Sequence, residues 1–94
     1  MHEQVQHFIT AMDELKLLTK DVDALHPRIA DLFESLSHVP LLPPDHVSKA
    51  KVQTWLRTLS SMRAHDQLSD EQARQMLFDL DLGYSAFHKF VEAR

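Results

Sequence analysis

Ser69-Asp-Glu-Gln-Ala-Arg-Gln-Met-Leu-Phe-Asp-Leu-Asp-Leu-Gly-Tyr-Ser-Ala-Phe-His-Lys-Phe-Val-Glu-Ala-Arg94 is the stretch that decides the fold class. Ala73, Leu77, Leu80, Tyr84, Phe87 and Val91 recur in it at spacings of three and four. That spacing puts them on one face of a helix with 3.6 residues per turn. Ser69 and Gln72 have the spacing of a capping box, each side chain reaching the other's backbone N–H. Leu68 and Ala73 stand where a hydrophobic staple closes. Asp70 and Glu71 favour the positive end of the helix dipole. The pattern predicts a helix over 69–93.

Working outward, the rest of the chain repeats this logic. Val52, Trp55, Leu56, Leu59 and Met62 form the stripe of a helix predicted over 46–63, capped by Asp45 or Ser48. The turn Ala64-His65-Asp66-Gln67 joins it to the last helix. Before it, Pro40-Leu41-Leu42-Pro43-Pro44 is stiff and extended, because proline fixes φ and restricts the preceding residue. Leu41 and Leu42 have two readings: tucked under the bundle, or displayed to a partner. Ile29, Leu32, Phe33 and Leu36 belong to a helix predicted over 27–39, with Pro27 in its first turn, where proline is tolerated. The alternative is a single rod kinked at Pro27. Val5, Phe8, Ile9, Met12, Leu15, Thr19 and Val22 form the stripe of a first helix predicted over 2–25. Leu17 and Leu18 lie off that stripe and read as a widened core face.

Composition supports the same class. The 94 residues are enough for one small domain with a thin core. Apolar residues make up 44%, too many for a disordered tail, and one glycine is too few for a sheet protein with many tight turns. The fold class expected is all-α, a single small antiparallel four-helix bundle, the simplest way to bury four stripes. No apolar run approaches the ~20 residues that cross a bilayer. The absence of cysteine excludes a disulfide and fits a cytosolic setting. A net charge of −4 without a Lys/Arg cluster argues against nucleic acid and against membrane insertion as modes of action. Met1-His2 is an abrupt start, as expected of a domain taken from a longer chain.

Catalytic and metal chemistry find little to use. Zinc ligands on one helix need i, i+3 or i, i+4 spacing. His2, His7, His26, His38, His46, His65 and His88 never show it among themselves. No cofactor, metal or enzymatic activity is therefore expected. The lone Gly83 lies mid-helix, so no glycine-rich phosphate or oxyanion loop exists. It either lets another backbone approach or is tolerated drift. Asp79 and Asp81 point to different sides of a helix and read as solvated charges.

What remains is surface. Phe78 and Leu82 fall opposite the Ala73 stripe, either covered by a packed neighbour or exposed as a partner patch. Thr54, Arg57, Thr58 and Ser61 lie with Ala50 away from the Trp55 stripe. They form a hydroxyl-rich strip whose Arg57 suits a partner carboxylate or carbonyl, or else an ordinary solvated face. Trp55 itself reads as core. The candidate protein-binding residues are thus Thr54, Arg57, Thr58, Ser61, Phe78 and Leu82.

One family carries these strings. Val52-Gln53-Thr54-Trp55-Leu56-Arg57-Thr58-Leu59-Ser60-Ser61-Met62, then Ala64, Asp66 and Leu68, belong to it. So do Arg74-Gln75-Met76-Leu77-Phe78-Asp79-Leu80 with Tyr84, Ala86-Phe87 and Phe90. Together they closely resemble the C-terminal domain of subunit 28 of the vacuolar-protein-sorting group, a subunit of the endosomal ESCRT-I complex. Phe8-Ile9-Thr10-Ala11-Met12-Asp13 and the Leu-Pro-Pro before Asp45 extend the likeness over nearly the whole chain. The resemblance implies a non-enzymatic adaptor. Its partners would be ESCRT-II, an ESCRT-III subunit and, through an N-terminal region outside this chain, the other ESCRT-I subunits. It also implies sorting of ubiquitinated cargo into multivesicular bodies, in the cytoplasm and peripheral to the late endosome membrane. Leu82-Gly83 departs from it, standing where the family carries small or polar residues followed by alanine. Two other readings remain open: a monomer-breaking homodimer seam through Phe78 and Leu82, and a histidine-linked pH or metal sensor.

Overall fold

Four helices follow one another in the computed structural model, which describes residues 2–93: α1 His2–Lys16, α2 Val22–Ser37, α3 Val47–Ser60 and α4 Asp70–Glu92. There is no strand among the described residues. Each helix contacts its neighbours in the order α1–α2–α3–α4 and back to α1, with no diagonal pair, so the four stand at the corners of a square.

Every adjacent pair is antiparallel. Gln4 near the start of α1 bonds Ser35 near the end of α2. His26 of α2 meets Ser60 at the end of α3. Along α3, Ser48 meets Gly83 and Trp55 meets Asp79. Phe8 of α1 stacks near Tyr84 and Phe87, while Lys20 just past α1 reaches Asp70. The expected bundle is therefore the one observed.

The first helix boundary is not where the sequence pattern put it. α1 stops at Lys16 instead of continuing to 25, and Pro27 lies inside α2. Leu18 takes φ 66°. Its N–H donates to Leu15 O at 3.1 Å and Thr19 N–H to Glu14 O at 3.0 Å. This is a Schellman closure, normally built on glycine because a Cβ strains the left-handed region. Here leucine occupies the position, so no glycine marks the stop. Leu17 and Leu18 consequently stand 80% and 79% exposed, not in a widened core face. Pro27 is the sixth residue of α2, past the first turn, and leaves Asp23 O without its helical donor; both residues are exposed, so water reaches that carbonyl.

Smaller corrections follow the same lines. The second helix spans 22–37, not 27–39, and the third 47–60, not 46–63. The cap of α3 is neither Asp45 nor Ser48. It is His46, whose Nδ1 accepts from Ser48 N–H at 3.3 Å. The capping box of α4 forms as expected, with Gln72 N–H donating to Ser69 Oγ at 3.0 Å and Ser69 N–H to Gln72 Oε1 at 2.9 Å.

The two links at one end of the bundle are strapped together. Leu68 N–H donates to Lys20 O at 2.8 Å and Val22 N–H to Asp66 O at 3.0 Å. Gln67 Nε2 adds a bond to Asp21 Oδ1 at 2.6 Å. At the other end Leu42 packs against the core while Leu41, at φ 68°, stands 84% exposed. Leu42 is thus tucked under the bundle, and Leu41 is not.

The core joins Phe8, Ala11, Met12 and Leu15 of α1 to Leu25, Ile29, Leu32 and Leu36 of α2. Val52, Trp55 and Leu59 of α3 and Met76, Leu80 and Phe87 of α4 complete it. In α4 the buried face is rotated from the predicted stripe. Leu80 and Phe87 are buried, but Ala73, Leu77, Tyr84 and Val91 are only half-buried, and Met76, Asp79 and Gly83 are buried instead. α4 packs between α1 and α3. The apolar periodicity traces its α1-facing flank; the α3-facing flank uses a carboxylate and a glycine, which carry no hydropathy signal.

Candidate protein-binding surface

Asp79 explains how α3 and α4 are held in register. It is buried, with Trp55 Nε1–H donating to Oδ2 at 2.8 Å and Gln75 Nε2 to Oδ1 at 3.0 Å. Lys51 Nζ stands 3.6 Å from Oδ1. The expectation of a solvated charge is thus overturned: a carboxylate inside a bundle is stable only when donors and a cation satisfy it. Four residues on, Gly83 lies against α3. A Cβ there would meet Ser48 Cα at 3.4 Å and Phe8 Cε1 at 3.5 Å. These are ordinary contact distances, so α3 runs close beside Gly83 without requiring a glycine there. The bond from Trp55 to Asp79 fixes which face of α3 turns outward.

That outward face carries Thr54, Arg57, Thr58 and Ser61. Thr54, Arg57 and Ser61 are exposed and Thr58 is half-buried. The hydroxyls are already spent as donors. Thr54 Oγ1 donates to Ala50 O at 3.0 Å, Thr58 Oγ1 to Thr54 O at 3.1 Å and Ser61 Oγ to Thr58 O at 2.7 Å. Their oxygens keep lone pairs for an incoming donor. Arg57 makes no ion pair among the described residues. The strip therefore offers acceptors beside one free fork of donors.

Phe78 and Leu82 belong to a different part of the surface. They are 59% and 40% exposed, so no neighbour covers them. Phe78 lines a groove between α1 and α4 with Ile9, Met12, Lys16, Leu77, Arg74, Asp81 and Tyr84. No recorded contact joins Phe78 to the α3 strip. Of the six candidates, Thr54, Arg57, Thr58 and Ser61 share the α3 strip, Phe78 lines the α1–α4 groove, and Leu82 lies on the outward face of α4 beside it, outside the groove lining. The lining of the α1–α4 groove was missed from sequence, although one signal pointed to it. Phe8 and Ile9 are adjacent, about 100° apart on the helix, so both cannot face the core centre. Phe8 is fully buried and Ile9 is 37% exposed.

No group of three or more His, Cys, Asp or Glu side chains converges on a metal-sized site among the described residues. No helix of the described residues is long and apolar enough to cross a membrane. A bundle with a closed core and apolar side chains left outside has the form of a protein-binding module.

The chain belongs to the VPS28 protein family, whose model matches residues 1–91. It is 43% identical over 91 residues to vacuolar protein sorting-associated protein 28 of Dictyostelium discoideum, covering 97% of this chain and 32% of that protein. It is 48% identical to homolog 1 of Arabidopsis thaliana over 90% of this chain and 41% of that protein. Against the Saccharomyces cerevisiae protein it is 34% identical, over 96% of this chain and 36% of that protein. The chain thus spans about a third to two fifths of the curated relatives it matches. A solved structure described as the C-terminal domain of Vps28 superposes with a TM-score of 0.86 at 35% identity, covering 95% of this chain and 93% of that one. The yeast ESCRT-I Vps28 C-terminus superposes with a TM-score of 0.85, also at 35% identity, covering 95% and 88%. The fold is that of the Vps28 C-terminal domain, and the family is one of vacuolar-protein-sorting subunits, not of enzymes.

Proposed function

We propose that this chain is the adaptor domain of an ESCRT-I subunit, linking ESCRT-I to ESCRT-II, to an ESCRT-III subunit, or to both. In this reading residues 1–94 form the C-terminal module of a longer chain. The N-terminal part of that chain joins the other ESCRT-I subunits. The work is sorting of ubiquitinated cargo into multivesicular bodies, by a cytoplasmic protein held at the late endosome through its assembly. Two lines support it. One is membership of the VPS28 family. The other, which carries the reading, is that Phe78 and Leu82 stay exposed on a bundle whose core is complete without them.

The experiment is a titration of the isotope-labelled domain with purified ESCRT-II, followed by NMR. Binding should be about micromolar, suited to an assembly that gathers many contacts. Chemical shifts should move at Thr54, Arg57, Thr58 and Ser61 or at Phe78 and Leu82. Arg57→Ala or Phe78→Ala should weaken binding with the helical circular dichroism unchanged. Absence of any shift would count against the adaptor reading, and normal binding by both variants would move the contact to another face.

A further inference from the structure

Two grooves between α1 and α4 share Lys16, Arg74 and Leu77, and so form one continuous trough. It runs from Leu18 and Ala73 at one end to Ile9 and Tyr84 at the other. The rise from Ala73 to Tyr84 makes it about 16 Å, or three helical turns. Leu15 and Met12 lie buried beneath it, Leu77 and Tyr84 are half-buried, and Ile9, Leu18 and Phe78 stand up along it, exposed. Lys16 and Arg74 sit where the two grooves meet, and neither makes an ion pair within 4.0 Å among the described residues. Lys20 is already tied to Asp70, and Asp81 lies towards the Tyr84 end.

We propose that this trough receives one amphipathic helix of a partner protein. The apolar face of that helix seats on Met12, Leu77, Phe78 and Tyr84, and an acidic side chain at its middle meets Lys16 and Arg74. The shape favours a helix. Two antiparallel helices leave a straight furrow that a third helix fills with anchors at i, i+3 or i+4, and i+7. The charge favours an acidic one. The whole chain is −4, yet two cations without an ion pair within 4.0 Å stand over apolar surface at this spot. Electrostatic complementarity there sets partner choice and register. The same cations disfavour a second copy of this chain, since an isologous two-fold seam along the trough brings Lys16 and Arg74 against their own equivalents. Asp70 and Asp81, one towards each end, disfavour an anionic bilayer. This inference concerns the α1–α4 flank and holds whether or not ESCRT-II is the partner, so the Arg57 and ESCRT-II results above leave it standing.

The test is a display selection against the intact domain, using a library of randomised helical peptides about four turns long. The expected winners carry apolar residues at i, i+3 or i+4, and i+7 with Asp or Glu on the flank. They shift Ile9, Leu77, Phe78 and Tyr84 in the NMR spectrum. Phe78→Ala and Arg74→Glu should each weaken a winner about tenfold, with unchanged circular dichroism because both side chains are exposed. The double variant Lys16→Glu, Arg74→Glu should select basic helices instead. Four results would each overturn the proposal: no enriched peptide, winners without an acidic residue, shifts confined to another face, or a concentration-dependent dimer whose Phe78 signal moves on dilution.

Discussion

At Asp79 a charged side chain does the work of a core contact. Removing it strands Trp55 Nε1–H, which is buried and has its acceptor there at 2.8 Å. Asp79→Ala should lower stability by about 1–3 kcal/mol, the usual cost of an unsatisfied buried donor. Asp79→Asn keeps an acceptor and should recover part of that loss. Urea denaturation of both variants checks the order. Gly83 makes a sharper case, because contact and propensity oppose each other. A Cβ fits at 3.4 Å from Ser48, an ordinary contact, and alanine favours a helix by about 1 kcal/mol. Gly83→Ala should therefore be neutral or stabilising, whereas Gly83→Leu should force α3 away and lose about 1–3 kcal/mol in thermal melts. Asp70 sets a pH expectation. The hydrogen bond from Lys20, then the charges of Lys20 and Arg74, hold its carboxyl below the usual carboxylate range. A depressed folded value means that its contribution is present above the ordinary Asp pKa of about 3.9 and is lost as pH falls through the depressed value. Asp70→Asn should flatten the acid limb of the stability profile below about pH 4, measured by urea midpoints across pH.

At the scale of elements, the ends of helices follow backbone geometry more than side-chain identity. α1 is closed by a leucine at φ 66°, and the turn after α2 places Leu41 at φ 68°. Each costs roughly 1 kcal/mol or more compared with glycine, which has no Cβ to clash. Leu41 is 84% exposed, so its side chain contributes little packing. Leu41→Gly should then raise stability by about 1 kcal/mol less the added entropy of the unfolded chain, read as a higher melting temperature. A drop in melting temperature would mean that Leu41 contributes packing its exposure does not suggest. The same residues explain why α1 was overrun by the sequence pattern. Thr19 and Val22 continue the helical spacing in register, and no glycine or asparagine announces the stop. Pro27 was the visible breaker, yet α2 runs through it, with the carbonyl it leaves unpaired on the exposed side of the helix.

For the whole molecule, square packing leaves each helix one outward face, with the hydroxyl strip on α3 and Phe78 and Leu82 on α4. Phe78 and Leu82 look outward because α4 is flanked by α1 and α3 and has no third neighbour to cover them. An adaptor built this way should sediment as a monomer at micromolar concentration. A dimer that dissociates on Phe78→Ala would instead support the homodimer seam.

Helix class, helix number, the capping box of α4 and the closure of four stripes into one bundle were determined by the sequence alone. Those features depend on local hydrogen bonding and on periodicity, which neighbouring residues encode. Only the tertiary structure decided that Asp79 turns inward, that Gly83 is buried against the α3 backbone and that Ile9 joins Phe78 along an open trough. Each of these depends on what a distant helix places opposite the residue: a Trp55 N–H for the carboxylate, a Ser48 backbone for the glycine. No window along the chain contains both halves of such a pair.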